Sequence, residues 1–393
     1  MQKKILVDGL SALTDGNVAL YYRLKRYGFD HLLAYRSADR LPSPALQVRT
    51  KKFSANYFIE FFQFVFLLIK EKPDLVEFYL HQFGRLGVLF EILKIGSCLF
   101  FRTPITVICT GRELLDFGRS RFLKDLSVKL ALRCSKRFQI KESYMLSKLD
   151  EFDIVPREKA KFIHNGVFEG LSKCQFKKSK DQKVVLFFNS FKVWRNVDLL
   201  AEAALELVRR RNDVVFLLVG ARNRNEVDSV SNIVQRISPQ DRWRVQIHQM
   251  NDNREFYYGL ADLFVLPADL VWLNNSVLEA MLLEVPVLLP DVEWVDKIVA
   301  DGVSGFVHEH KNLSSLVSKI DYFLDIDKQS VSAIVSRAKA EVLDKFGSEK
   351  RAYLHSLFYK TVFTDYEVPC GIFEGDKVRV LSLDEIKKAV DDT

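Results

Sequence analysis

Short apolar runs alternate along this chain with longer stretches in which apolar residues recur every three to four positions. Residues 4–7 read as a strand, 9–16 as a loop and 17–27 as a helix closed by Gly28. Further strands are expected at 31–35 and 75–79, at 105–109 after Pro104, and in short form at 138–140 and 162–163. Strands that alternate with helices build a parallel sheet covered by helices on both faces. The second half repeats the pattern more cleanly. It has strands at 184–188, 214–219, 244–247, 263–266 and 285–289, and a helix over 196–211 with Val197, Leu200, Ala204, Leu207 and Val208 on one face. After Phe306 the pattern turns helical to about residue 363. Beyond it, Pro369, Gly371 and Gly375 precede a strand-like 377–381 and a helix-like 383–390.

The stretch 165–183 loses periodicity and holds Lys173, Lys177, Lys178, Lys180 and Lys183, which marks a linker. A length of 393 residues fits two domains and an appendage. Ligands of open parallel sheets bind outside the carboxyl ends of the strands, often at helix N-termini where free N–H groups attract phosphate. Two such sheets facing each other make one deep cleft.

Charge changes this picture. The net +7 conceals an asymmetry: residues 1–183 hold 33 Lys and Arg against 19 Asp and Glu, and the remainder is acidic. A basic half suits an anionic partner, such as a phosphorylated ligand or an acidic membrane surface. Nucleic acid is excluded because no recognition motif accompanies the charge. Five cysteines, an odd count without a CxxC pair, point to thiols in a reducing compartment. The N-terminus enters a strand pattern directly, with no signal-peptide pattern. The greasiest stretch, 53–69, contains Asn56, Glu60 and Gln63 and does not read as a membrane span. No cluster has metal-ligand spacing, so no metal is expected.

Several motifs point further. Ala261-Asp262-Leu263-Phe264-Val265-Leu266-Pro267 is followed by Asn274-Asn275-Ser276-Val277-Leu278-Glu279-Ala280-Met281 and Pro286-Val287-Leu288. Phe162-Ile163-His164-Asn165-Gly166-Val167 resembles an "IPNGV" motif, Val197–Ala203 a "VDLLIEA" helix, and Asp301–Phe306 a "DGVNGLL" turn. Over about residues 2–363 the chain resembles the retaining glycosyltransferases of the large two-Rossmann-domain family usually numbered four. The resemblance implies an α/β fold of two Rossmann-like domains facing across a cleft, with a C-terminal helix returning to the first. The corresponding division is 1–167 for an acceptor-side domain, 168–183 for the linker and 184–347 for the nucleotide-sugar domain. A closing helix follows at 348–363, then an appendage of unassigned role at 364–393.

The resemblance also implies a site. In the family's "E-x7-E" motif the second Glu accepts hydrogen bonds from the ribose hydroxyls, and Glu279 matches it. A carboxylate suits a vicinal diol because its two oxygens accept two O–H bonds together. Asn275 and Ser276 precede it on the same helix. The first Glu is replaced by Val271, with Asp269 the nearest carboxylate. In the diphosphate-binding "GRL…KG" motif, Arg195 falls on the Lys position and Ser190 on the Arg position, and Lys192 offers a second cation. Gly16 is a candidate for close backbone approach to phosphate. Where the family often has "HG" the chain reads Thr110-Gly111, so Thr110 and His81 stand as weak catalytic candidates. The "GG" turn of the family is replaced by Glu293-Trp294, with Lys297 close by.

The implied reaction moves a sugar from a nucleoside diphosphate sugar to a lipid-linked or polysaccharide acceptor, with retention and without a cofactor. The setting is bacterial surface glycan synthesis in the cytoplasm. Residues 119–141, rich in Lys and Arg, are either a solvated basic face or a surface docking the protein on the anionic inner face of the membrane. The alternative function is a catalytically inactive homologue that binds glycan or partners an active transferase.

Overall fold

The structure is a computed structural model. It describes the chain apart from residues 1, 13–14, 38–47, 81–84, 110–113, 115–116, 119–121, 142–143, 175–181, 252, 272, 365–371, 375–376, 380 and 392–393. It divides into two compact units, Met1–Gly166 with Ser348–Thr393, and Val167–Gly347.

The first unit is built on a seven-stranded, all-parallel sheet. Its strands are β1 (Lys3–Ala12), β2 (Phe29–Ser37), β3 (Arg49–Lys52), β4 (Leu75–Tyr79), β5 (Ile105–Ile108), β6 (Phe138–Ile140) and β7 (Ala160–Phe162), in the order β3-β2-β1-β4-β5-β6-β7. The helices between them are α1 (Asp15–Leu24), α2 (Tyr57–Glu71), α3 (Arg85–Phe100), α4 (Phe122–Cys134) and α5 (Tyr144–Glu151). The expected loop from residue 9 is instead strand as far as Ala12. A register shift between Val7 and Leu10 lets β1 continue past Gly9. Gly9 has φ +83°, and a Cβ there would lie 2.3 Å from the Tyr79 carbonyl oxygen, so β1 and β4 approach as only glycine permits.

The second unit repeats the plan with six parallel strands: β8 (Lys183–Phe188), β9 (Val214–Ala221), β10 (Val245–Gln249), β11 (Leu263–Val265), β12 (Val287–Pro290) and β13 (Phe306–His308). The order is β10-β9-β8-β11-β12-β13. Its helices are α6 (Val197–Arg210), α7 (Arg224–Val234), α8 (Arg254–Leu260), α9 (Asn275–Leu282), α10 (Val295–Ile298), α11 (Leu313–Asp325) and α12 (Lys328–Phe346). Both sheets are therefore doubly wound, and each reverses direction beside its first strand, at β1/β4 and at β8/β11.

After α12 the chain returns to the first unit as α13 (Ser348–Phe363), which packs on α1. A polar knot in the core fixes it there. The carboxylate of Glu77, on β4 and fully buried, accepts from Tyr21 at 2.6 Å, from Tyr359 at 3.0 Å and from the His355 ring at 3.0 Å. Burial pushes the Glu77 carboxyl up, but the His355 ring and the Tyr21 hydroxyl outweigh it and hold it below the usual glutamate range. Beyond α13 lie a hairpin of β14 (Ile372–Glu374) and β15 (Lys377–Arg379), and α14 (Leu383–Asp391).

Candidate functional site

The reversal point of the second sheet collects the polar residues that the motifs single out. β8 ends at Phe188, and Asn189 follows directly. Its side-chain amide donates to Asn274 Oδ1 at 3.1 Å and lies 3.4 Å from Ser276 Oγ. Asn274 caps α9 by accepting from the Ser276 backbone N–H at 3.0 Å. The end of β8 and the N-terminus of α9 are thus tied across the reversal point. Gly220 makes room for this: its φ is +150°, and a Cβ there would lie 1.6 Å from the Asn189 carbonyl oxygen.

A second set of bonds crosses the same point. A short 3-10 turn, Val193–Arg195, follows β8 and ends on Asn196 in the left-handed region at φ +50°. Asn196 donates to the Pro267 carbonyl at 2.9 Å and to Asp269 at 2.6 Å. Asp269 is further held by His310 at 3.0 Å and Lys311 at 3.1 Å. These contacts commit its carboxylate to joining loops. Arg195 Nη1 donates to the Leu270 carbonyl at 2.9 Å, while Nε is buried without a hydrogen-bond partner. Burial lowers its pKa to about 10, so it stays charged at neutral pH. Among the described residues no carboxylate pairs with it. A half-satisfied, half-buried cation at a sheet's ligand-binding end suits an anion, since an opposite charge repays its desolvation.

Glu279 lies on α9, one turn in from Asn275. Its Oε1 accepts from Arg254 Nη1 at 2.7 Å, and its Oε2 lies 3.4 Å from the Tyr258 hydroxyl, which also donates to the Ser276 carbonyl at 2.9 Å. Arg254 and Tyr258 stand four apart on α8, hence on one helix face. Burial pushes the Glu279 carboxyl up, and Arg254 and Tyr258 offset only part of that rise. Each carboxylate oxygen has about two lone-pair sites. With Arg254 on one oxygen and Tyr258 near the other, one site remains on each, and 12% of the side chain stays exposed.

The remaining predicted residues place as follows. Ser190 follows Asn189, and its backbone N–H donates to that residue's own Oδ1 at 2.9 Å. Lys192 precedes the 3-10 turn and is half-buried. Asn275 is exposed in the first turn of α9. Gly16 lies inside α1, which starts at Asp15, two residues earlier than the pattern suggested. His81 and Thr110 lie outside the described residues. Val271 is buried, at 1% exposure, and Lys297 pairs with its neighbour Asp296 at 2.8 Å. Trp294, in place of a family glycine, adopts φ +78°. Arg254, Tyr258 and Asn189 were missed by sequence reasoning; only the four-residue spacing of the first two was visible in advance. No group of three or more His, Cys, Asp or Glu positioned for a metal occurs among the described residues.

A doubly wound sheet with a half-buried cation and a helix-borne carboxylate at its reversal point has the arrangement at which open α/β sheets take their ligands. Residues 171–340, within the second unit, match the family model of the glycosyl transferases group 1. The chain is 21% identical over 300 residues to the capsular polysaccharide biosynthesis glycosyltransferase CapM of Staphylococcus aureus, covering 72% of this chain and 76% of that one. It is 25% identical over 145 residues to the alpha-D-kanosaminyltransferase of Streptomyces kanamyceticus, a match spanning only 37% of either protein. The fold is similar to that of Anabaena HepE in complex with UDP and glucose, with a TM-score of 0.68 and 17% identity, over 92% of this chain and all of that one. Sucrose-phosphate synthase from Thermosynechococcus elongatus gives a TM-score of 0.70 at 15% identity, over 93% of this chain and all of that one.

Proposed function

We propose that the chain transfers a sugar from a nucleoside diphosphate sugar to a lipid-linked or polysaccharide acceptor, with retention of configuration, in bacterial surface glycan synthesis at the inner face of the cell membrane. The observation that carries this reading is the pairing of two unlike groups at one reversal point. Among the described residues Arg195 is a half-buried cation, its Nε buried, without a carboxylate partner, and Glu279 is a carboxylate with one lone pair free on each oxygen. A nucleoside diphosphate offers what each lacks: phosphate oxygens for the guanidinium and a ribose diol for the carboxylate.

In this reading Arg195, Lys192 and the Asn275 and Ser276 side chains at the start of α9 hold the diphosphate. They stabilise the charge that develops as the sugar–phosphate bond breaks. Ser190 adds a hydroxyl beside them. Gly16 stays a candidate for close backbone approach to phosphate, and Thr110 and His81 stay weak catalytic candidates. The glycan-related names of CapM and HepE's ligands support the substrate class. The test is calorimetric titration with nucleoside diphosphates, then transfer or hydrolysis assays with a panel of nucleotide sugars. Binding of neither diphosphate nor any nucleotide sugar overturns the proposal.

A further inference from the structure

Helices α2 and α3 of the first unit have their polarity turned inside out. The charged side chains in the middle of each helix point inward. Glu60 is buried and accepts from Arg36 at 2.8 and 2.9 Å, and Lys94, only 4% exposed, reaches both Glu60 and Asp8. Glu91 is buried as well. The outward positions are apolar and follow helical spacing: Phe58, Phe62, Phe66 and Ile69 on α2, then Leu86, Leu89, Leu93 and Phe100 on α3. Phe100 is 81% exposed. The two faces join through Phe90, whose ring centroid lies 6.3 Å from Phe58 and 6.0 Å from Phe61. Such a continuous exposed apolar surface marks an interaction site.

Charge at its margin selects the partner. Lys70 and Lys72 end α2 and Arg102 follows α3, all three exposed. Neither helix presents a fully exposed acid: Glu71, the remaining one, is half-buried and paired with Arg49 at 2.6 Å. A cationic rim disfavours a second copy of the same face and favours an anionic surface. No helix among the described residues is long and apolar enough to cross a membrane, so the face would lie in the interface.

We propose that the outer face of α2 and α3 docks on an anionic bilayer, its phenylalanine and leucine side chains entering the boundary between headgroups and acyl chains while Lys70, Lys72 and Arg102 meet lipid phosphates. This rests on the reading that the enzyme works at a membrane. It replaces the basic stretch 119–141 as the anchor. Within that stretch Arg133 Nε donates to the Ile154 carbonyl at 3.1 Å and Lys136 to the Val362 carbonyl at 3.3 Å, so both residues serve the fold.

The test is co-sedimentation of the full chain with phosphatidylcholine vesicles, with and without phosphatidylglycerol, at low and high salt. The wild type is expected to bind the anionic vesicles and to keep part of that binding at high salt. The double substitution Phe62→Asp with Leu93→Asp is expected to weaken binding at least about tenfold and to leave the unfolding midpoint unchanged, because both side chains are already exposed. A Phe62→Trp variant should show blue-shifted emission on vesicles and quenching by brominated acyl chains. If the double variant binds as tightly as wild type and high salt releases both, insertion is overturned while electrostatic attachment stands. If the wild type is dimeric without lipid, the double variant is monomeric and the tryptophan does not shift, the face is an interface between copies. If the wild type binds no vesicle, the membrane reading falls with it.

Discussion

Arg254 Nη1 lies 2.7 Å from Glu279 Oε1, so the carboxylate matching the family's ribose reader is already half engaged before any ligand arrives. The pair bridges α8 and α9 within the second unit. Burial raises the Glu279 carboxyl and Arg254 offsets part of that rise, favouring the ionised form that is the better acceptor for ribose hydroxyls.

Glu279→Gln should therefore weaken nucleoside diphosphate binding by about 1.5–3 kcal/mol, the worth of hydrogen bonds to a charged group. Arg254→Met should weaken it less, yet lower stability by about 1–3 kcal/mol, a discounted figure because Arg254 is partly exposed. Calorimetry and urea unfolding of the two variants check this. The expectation is sunk if Arg254→Met is as stable as wild type.

Arg195 makes the opposite forecast. Among the described residues its guanidinium has a carbonyl partner but no carboxylate, and burial lowers its pKa. Arg195→Met removes a poorly compensated charge, so unliganded stability should hold or rise. Affinity for a nucleoside diphosphate should fall about 10–100-fold, with no change for the nucleoside alone. An equal loss for both ligands would mean that Arg195 does not meet the diphosphate.

Acid sensitivity follows from three buried histidines. Burial lowers His31 and His164, both in the first unit, to about 3, and His308, in the second, to about 4. All three are neutral in the fold at pH 7. Once pH falls below about 6.5, the unfolded chain takes up protons that the folded chain refuses. Each histidine then removes about 1.4 kcal/mol per pH unit until its folded value is reached. Glu77, also lowered, acts with the same sign below its ordinary range. Denaturant midpoints should be flat above pH 7 and drop steeply between 6.5 and 4, more for the first unit than the second. His31→Gln, which keeps a donor for the Tyr359 hydroxyl, should flatten the first unit's slope by about one proton.

The alternation of strands and helices was legible because buried parallel strands are apolar runs and amphipathic helices such as α6 show a clear stripe. The edge strand β3, Arg-Thr-Lys-Lys with all four residues exposed, was not. An edge strand needs only backbone pairing, and nothing in its composition reports that. Nor was the knot at Glu77, which joins Tyr21 across 56 positions and His355 and Tyr359 across 278 and 282. At the site, Glu279 and Arg195 were visible through motif spacing. Arg254 and Tyr258 were not, because their role comes from α8 packing beside α9. The inverted face of α2 was visible only as the greasy stretch 53–69, since periodicity does not say which face turns inward.

The last expectation concerns Val271, eight positions before Glu279, where the family places the Glu that contacts the donor sugar. Val271 is buried at 1% exposure, so the position now belongs to apolar packing. Two charged groups could have compensated, and both are engaged elsewhere. Asp269 is held by Asn196, His310 and Lys311, and Lys297 is paired with Asp296. An unmatched buried polar group costs about 1–3 kcal/mol. The enzyme should thus prefer a donor lacking the hydroxyl that the missing carboxylate would meet, such as a 6-deoxy sugar, by about 10–100-fold over its hydroxylated counterpart. Because a Glu at this buried position risks unfolding the protein, Val271→Thr serves as the milder variant beside Val271→Glu. Competition among glucose-type, 6-deoxy and uronic nucleotide sugars checks the preference, and the threonine hydroxyl should narrow it. A wild type that favours a fully hydroxylated hexose, with Val271→Thr indifferent, would leave Val271 a packing residue with no part in donor choice.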